Sequence, residues 1–411
     1  MKALPALFLS SAILLCAQPA PRQRVGPLPE GRFLLNSGWV LEPAGRQVPL
    51  DTFPMAAALS PDGRWLLALN AGFNPPSISV LDAATGKETG RAPAPDAWLG
   101  LSFSPSGDRV YVGGAAQAAV FEFTFAEGRL APARAFPVVP AEKRTDRDFI
   151  GDVALSPDGR LLYAAELYRD SLAVINPQSG MVIERIRTGR RPYRILFHPD
   201  GKSLFVTHWA DGTVGHYDAA NGQLLASVRL GPQPTDMLWR AGKSDPQGGE
   251  PAWAARLFIA ASNTNSVYAV GVTEAKDLKL AEVINVALSP RQPLGVTPSA
   301  LALAPDGKRL HVVCSDLNAV AVVDVSLDRS AVAGFVPVGW YPTAARSLGD
   351  GTLVVLNGRG GGSRPNPQGP PREHVARVQT GTASFIPRFE EKQLDAYTQT
   401  FLANAAFGEG S

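Results

Sequence analysis

Short polar turns alternate with apolar segments along the chain. The first such turn reads Ser60-Pro61-Asp62-Gly63, and the same or closely related residues recur at 104–107, 156–159, 198–201 and 304–307. Proline sets φ at the first central position, aspartate bonds the backbone ahead of it, and glycine takes a positive φ. An apolar run such as Leu161–Ala165 follows each turn. The pattern therefore predicts a series of β-hairpins.

These hairpins recur about every 45 residues, a spacing typical of propeller blades. One gap, between Pro199 and Pro305, is about twice as long. We place its missing turn near 240–242, lengthened by an insertion at 243–255. A further turn at 348–351 brings the number of repeats to seven.

Each repeat continues beyond its hairpin with two more strands. Residues 171–176 alternate in polarity, a glycine turn follows, and 181–186 form the next strand. Four short antiparallel strands cannot bury both of their faces alone, whereas stacking around an axis buries them. The sequence predicts an all-β fold, a seven-bladed β-propeller of four-stranded antiparallel blades.

The ends of the chain extend this prediction. Residues 38–41 and 46–50 resemble outer strands without inner ones, whereas the last turn lacks its outer half. We expect N-terminal strands to complete the last blade, with 378–386 as its third strand. Leu394, Tyr397, Phe401 and Leu402 have helical spacing and predict a short C-terminal helical tail. The expected organisation is a signal peptide at 1–20, a propeller at 33–387 and a tail or linker at 388–411.

The first residues have the pattern of a secretory signal. Lys2 precedes an apolar run at 4–17 that is too short to span a bilayer, and Ala17 and Ala20 offer cleavage positions. Lipidation at Cys16 is the alternative, although Leu15 stands where a small residue is needed. We expect a periplasmic or secreted protein without a membrane span.

The charge balance and the cysteine count limit which partners and cross-links can be expected. The chain has 39 basic and 37 acidic residues, a net charge of +2, which gives no electrostatic basis for binding nucleic acid. Cys314 is the only cysteine besides Cys16, so signal cleavage would leave no possible internal disulfide. No metal site or cofactor is predicted, and we expect a monomer whose partner is a protein or a small ligand.

The repeats resemble the YVTN family of bacterial β-propellers over residues 33–387. The resemblance rests on units such as 156–163 and 170–176. A narrower similarity, at 338–344, 357–360, 363–370 and 381–387, is to the propeller half of fusions between a YVTN propeller and an alkaline-phosphatase-like phosphoesterase. It implies a partner domain and no activity in these residues, because nothing matches the phosphatase nucleophile or its metal ligands.

Candidate site residues come from comparing equivalent positions of the blades. Two residues after the start of the inner strand, three neighbouring blades carry Asp152, Arg194 and Asp236. The end of the second strand adds Glu166 and His208 in two of the same blades. We expect these five to share one side of a central funnel, with Tyr168, Tyr193 and Trp209 as its walls.

Three functions remain open for this cluster. It is a structural set of salt bridges, a ligand site, or the catalytic site of a lactonase-like hydrolase with His208 or Glu166 as base and Arg194 holding a carboxylate. No catalytic motif is present. We therefore expect a non-catalytic scaffold that binds a ligand or protein, with a lactonase-like enzyme and a purely structural envelope module as alternatives.

Overall fold

The inner hairpins carry the predicted turn chemistry. In the first, Gly63 has φ +72° and its N–H donates to the carbonyl of Ser60 at 2.8 Å. The hydroxyl of Ser60 accepts from the N–H of Trp65 at 2.9 Å, which aligns the returning strand. Glycine is needed in this turn because a Cβ at this φ meets the following carbonyl oxygen.

The computed structural model describes residues 24–242, 253–289, 291–362, 369 and 374–405. The predicted signal peptide at 1–20 and most of the insertion at 243–255 lie outside these residues. Within the described part, strands form seven four-stranded antiparallel sheets and one small three-stranded sheet. The prediction of a seven-bladed all-β propeller is confirmed.

Each blade has four strands, ordered from the channel outward. Blade 1 comprises Pro54–Leu59, Trp65–Asn70, Ser77–Asp82 and Glu88–Pro93; blade 2, Leu101–Phe103, Arg109–Gly113, Ala119–Ala126 and Arg129–Pro137; blade 3, Ile150–Leu155, Leu162–Glu166, Ser171–Asn176 and Met181–Arg187; blade 4, Pro192–Phe197, Ser203–His208, Thr213–Asp218 and Leu224–Arg229. Blade 5 comprises Pro234–Ala241, Ala255–Ala261, Ser266–Val272 and Leu278–Asn285; blade 6, Pro298–Leu303, Arg309–Cys314, Ala319–Asp324 and Ala331–Pro337; blade 7, Pro342–Ser347, Leu353–Asn357, Thr382–Ile386 and Arg46–Pro49.

The inner strands of neighbouring blades contact one another around the whole ring, and blade 7 contacts blade 1. The ring is closed as predicted, because Arg46–Pro49 pairs with Thr382–Ile386 as the outer strand of blade 7. Residues 38–41 differ from the prediction. Val40–Leu41 instead joins Gly26–Pro27 and Phe33–Leu34 in the separate small sheet.

The core lies between the blades and follows from strand alternation. In the second strand of blade 1, Leu67 and Leu69 pack toward Val110 of blade 2. Leu66 on the opposite face packs toward Val354 of blade 7. Side chains of successive residues leave a strand on opposite faces, so an apolar strand between two blades is buried on both.

The described residues form few helices, and these are short. One α-helix spans Val375–Val378 and another Glu391–Asn404, and 3₁₀ turns lie at Pro29–Gly31, Ala141–Lys143 and Ser315–Leu317. The second helix confirms the predicted tail. It buries Leu394 and Phe401 against the rim of blade 6, and Phe401 stacks on Trp39 with ring centroids 5.8 Å apart.

Candidate functional site

We call the end of the ring where the inner strands begin the upper end, and the end with the Ser-Pro-Asp-Gly turns the lower end. In six blades the inner strand shows a register shift directly after its first residue. Such a bulge re-aims side chains. Consecutive residues such as Tyr193 and Arg194 therefore both line the same cavity, which strict alternation would forbid.

A charged layer crosses the middle of the channel. The guanidinium of Arg194 lies between two carboxylates, with Nη1 3.1 Å from Oδ1 of Asp152 and Nε 3.2 Å from Oδ1 of Asp236. The second oxygen of Asp152 accepts from the N–H of Ile195 at 2.9 Å, and that of Asp236 from the N–H of Leu301 at 2.9 Å. Each carboxylate thus ties its own blade to the next one.

Gly100 in blade 2 lets the layer assemble. A Cβ at this position would lie 2.7 Å from the backbone nitrogen of Val153 and 3.1 Å from the Cα of Asp152. The N–H of Gly100 donates to the carbonyl of Gly151 at 3.0 Å. Only glycine allows the inner strands of blades 2 and 3 to come this close, which sets the position of Asp152.

Arg346 of blade 7 completes the layer, and the sequence comparison missed it. Its Nη1 donates to the carbonyl of Ala345 at 2.7 Å, the one hydrogen bond of this side chain within the described residues. No carboxylate of the described residues lies within ion-pair distance of the Arg346 guanidinium. The equivalent residues of other blades include Ala58, Ala154 and Leu196. An arginine among apolar equivalents was the signal that could have identified it.

Burial and charge oppose each other in this layer. Burial raises the pKa of Asp152, against the lowering effect of Arg194. Burial also acts to lower the pKa of Arg194, but Asp152 and Asp236 outweigh it and hold that pKa above its usual value. Burial lowers the pKa of Arg346, and for this residue the carboxylates compensate only in part. Of the two arginines in the layer, Arg346 therefore has the fewer polar partners among the described residues.

Two cavities lie on either side of the layer. The upper cavity, of about 430 Å³, is lined by Leu99, Tyr193 and Trp209 on one side and by polar residues of blades 5 to 7 on the other. These polar residues are Gln233, Thr235, Ser262, Asn263, Thr297, Ser299, Ser315, Asp316 and Thr343. The lower cavity, of about 330 Å³, is lined by the ends of the inner strands. Arg194, Asp236 and Arg346 line both.

The structure does not bring Glu166 and His208 to this funnel. Oε2 of Glu166 accepts from Ser171 at 2.8 Å and lies 3.1 Å from Nε of Arg185, both in blade 3. His208 bonds through Nδ1 and Nε2 to residues of its own blade. The expectation that all five residues share one side of the channel is therefore wrong. The end of a second strand faces its neighbouring strands, and the inner strand separates it from the channel.

The predicted walls divide between two cavities. Tyr193 and Trp209 line the upper cavity, whereas Tyr168 lines a neighbouring surface cavity together with Arg191 and Trp209. The guanidinium carbon of Arg191 lies 5.6 Å from the ring centroid of Tyr168 and 5.5 Å from that of Trp209. This cation–π sandwich holds the rim of blade 4 in place.

Within the described residues, the structure has neither a cluster of side chains suited to a metal ion nor a helix suited to span a membrane. No group of three or more His, Cys, Asp or Glu side chains is placed there to hold a metal ion. No helix in these segments has the length and apolar character to cross a bilayer.

Comparisons with known proteins agree on the fold. A family model described as Lactonase, 7-bladed beta-propeller, matches residues 56–239. A search of curated proteins gave no match. Among solved structures, Kuenenia stuttgartiensis hydrazine synthase is 18% identical with a TM-score of 0.59, covering 75% of this chain and 93% of that one. U3-55K is 12% identical with a TM-score of 0.60, covering 84% and 100%. At such identities, these two likenesses show a shared propeller fold.

Proposed function

We propose that the protein binds a small polyhydroxylated organic acid in the upper cavity, with its carboxylate on Arg346 and Arg194. The observation that carries the proposal is the state of Arg346. Its guanidinium faces a cavity of about 430 Å³ and makes one hydrogen bond, to a backbone carbonyl, within the described residues. A carboxylate accepts two parallel hydrogen bonds from such a group.

The hydroxyl groups around the cavity suit the rest of such a ligand. Those of Thr235 and Thr343 donate to backbone carbonyls. Their hydrogens are committed, so their lone pairs are free to accept from hydroxyl groups of a ligand. The two arginines and two aspartates of the layer cancel in formal charge. Affinity would therefore depend on directed hydrogen bonds more than on net attraction.

A lactonase-like hydrolase is the second candidate, and the family model favours it. A lactone is the cyclic ester of a hydroxy acid, so the same cavity would accept it. Because Glu166 and His208 lie elsewhere, the base in this case would be Asp316. Its carboxylate is exposed in the upper cavity and accepts from Thr297 Oγ1 at 2.6 Å. Arg346 would stabilise the oxyanion formed when water attacks the ester carbonyl.

Ligand-induced thermal stabilisation tests both candidates. The panel comprises sugar acids, their lactones, simple carboxylates and neutral sugars. A ligand at 100 times its Kd stabilises the fold by about 2.7 kcal/mol. We expect a sugar acid to raise Tm in the wild type and in Arg160→Met, a control on an exposed turn, and to have little effect in Arg346→Met. An undiminished shift in Arg346→Met would contradict the proposal. Acid release from a lactone, lost in Asp316→Asn, would establish the hydrolase.

We also propose that the protein is exported and acts as a YVTN-type propeller beside a phosphoesterase partner. Support comes from the apolar run at 4–17 and from the segments 338–344 and 381–387. The N-terminal sequence of protein isolated from the producing cells tests the first part, because export predicts a start after residue 17 or 20. Retention of Met1 would reject it.

A further inference from the structure

Five residues at the upper end adopt a backbone conformation that L-amino acids rarely take. Each directly precedes the proline that begins an inner strand, and each has a positive φ: Phe53 at 48°, Arg191 at 55°, Gln233 at 59°, Thr297 at 55° and Tyr341 at 59°. They belong to blades 1, 4, 5, 6 and 7. For bulky or β-branched residues such a φ is a genuine outlier, and it adds to the steric restriction from the following proline.

The surrounding structure holds these five residues in place. The carbonyl of each accepts from an N–H just beyond the second strand of its own blade; for Gln233 the donor is Ser262 at 2.9 Å, and for Thr297 it is Ser315 at 3.0 Å. The other three make the same bond, at 2.8 to 3.1 Å. The strained conformation is thus a repeated feature of the propeller.

Glycine would adopt this φ without strain, and the same chain uses it for that purpose elsewhere. At the lower end, the inner-hairpin turns of six blades have a positive φ, and each such residue is a glycine: 63, 107, 159, 201, 307 and 351. At the upper end none of the five is. The difference indicates that their side chains have a use which outweighs the strain.

Their side chains line the upper cavity or the surface cavity that adjoins it. Phe53, Gln233, Thr297 and Tyr341 line it, and Arg191 lines the adjoining surface cavity, which shares Gln233 and Trp209 with it. We propose that these five residues are the specificity-determining contacts of the upper cavity and of the surface cavity that adjoins it. This inference rests on the proposed function, and it assigns to the five the recognition of the ligand body while Arg346 holds the carboxylate.

The chemistry of the five defines the ligand further. Phe53 and Tyr341 form one apolar wall, with ring centroids 5.8 Å apart. Gln233 and Thr297 lie on the polar side, and the Gln233 amide makes no side-chain hydrogen bond within the described residues. A cyclic polyol acid fits this division, with the C–H face of its ring against the aromatic wall and its hydroxyl groups toward Gln233.

Substitutions of Gln233 separate strain from contact. Gln233→Ala removes the side chain and keeps the strained backbone, whereas Gln233→Gly removes both. We expect both variants to weaken binding of the cyclic acid about fivefold, the loss of one hydrogen bond. Without ligand, Tm of Gln233→Gly should match or exceed that of Gln233→Ala. Glu127→Gly is the control, because Glu127 has φ 46° on an exposed turn of blade 2. It should leave affinity unchanged.

The outcomes distinguish the two proposals. Wild-type affinity in both Gln233 variants, with binding still dependent on Arg346, would overturn the specificity role and leave the proposed function standing. A wild-type protein that binds no acid of the panel would overturn both. A lower Tm of Gln233→Gly than of Gln233→Ala would contradict the strain argument.

Discussion

Residues with a positive φ occur at both ends of the blades, but the two ends use different residue types for them. At the lower end, the positive φ of the inner-hairpin turn is met by glycine in six blades, and these turns resemble one another from blade to blade. At the upper end, glutamine, threonine, arginine and aromatic residues adopt nearly the same φ. Uniform unstrained turns favour stability, whereas varied strained residues favour contact with something outside the fold. We infer that the residues repeated from blade to blade determine the fold. The positions where residue type varies between blades lie at the candidate site.

We expect the largest change in the free energy of unfolding from a substitution in the charged layer between the two ends. Asp152→Asn keeps the shape of the side chain but leaves Arg194 with one carboxylate. Breaking a buried ion pair costs about 3 to 5 kcal/mol, and we expect about 3 for this variant because Asp236 remains. Urea denaturation at pH 7 measures the change. Asp158→Asn, on an exposed lower turn, is the matched control and should stay within about 0.5 kcal/mol of wild type. A small effect of Asp152→Asn would mean that the layer does not hold the blades together.

His208 lies at the upper end but outside the cavity, and we expect it to make stability depend on pH. Burial lowers its pKa to about 4, and its ring lies between Thr213 Oγ1 at 2.8 Å and Tyr217 Oη at 3.0 Å. In the unfolded chain the pKa is near 6.5, so the unfolded state gains a proton first as pH falls. The contribution of His208 to the free energy of unfolding is fully present above pH 6.5 and is lost as the pH falls toward 4. The expected loss at pH 5 is about 2 kcal/mol.

Denaturation at pH 7 and pH 5 measures that loss. His208→Gln should lose less stability over this interval, while His311, whose pKa burial also lowers to about 4, keeps its own contribution. Measurements at pH 8 provide the reference for the substitution itself. An unchanged pH dependence in His208→Gln would show that His208 is not the group responsible.

We expect the smallest change in the free energy of unfolding from a substitution in a turn at the lower end. Gly63→Ala places a Cβ at φ +72° with no atom of a non-adjacent residue within 4 Å, so the cost is that of the local backbone alone, about 1 kcal/mol. Gly349→Ala in the equivalent turn of blade 7 is the control. Gly349 has no positive φ and its Cβ would also meet open space, so stability should be unchanged or slightly raised. Equal losses in the two variants would contradict the explanation by φ.

Sequence alone could predict the ring because its signals are local. Each turn motif marks one hairpin, and alternation in strands such as Leu162–Glu166 places apolar residues on both faces. Counting from the turns also brought Asp152, Arg194 and Asp236 to one level, since equivalent positions on inner strands face a common axis. The same counting failed for Glu166 and His208, because equivalence along the chain does not tell which layer of a blade faces the channel.

Counting from the turns missed other features of the site. Arg346 lies two residues further along its inner strand than the predicted level, and it lines the same two cavities as Arg194 and Asp236 only because the ring closes blade 7 against the others. The positive φ of Thr297 or Tyr341 follows from a carbonyl held by the neighbouring strand. Residue type would have predicted the opposite conformation, so such strain becomes visible only once tertiary hydrogen bonds are known.

The closure of blade 7 has a consequence for the order of folding events. The hydroxyl of Ser384 donates to Oε1 of Gln47, 337 residues away along the chain. Closing so long a loop costs only about 3 kcal/mol more than closing a ten-residue one, because the entropy of closure grows with the logarithm of length. During synthesis, however, the ring stays open until residues 382–386 leave the ribosome. Until then the faces of blades 1 and 7 that later meet remain exposed. A strand made late therefore completes a sheet together with one made early, and termination before residue 382 leaves an open arc of blades.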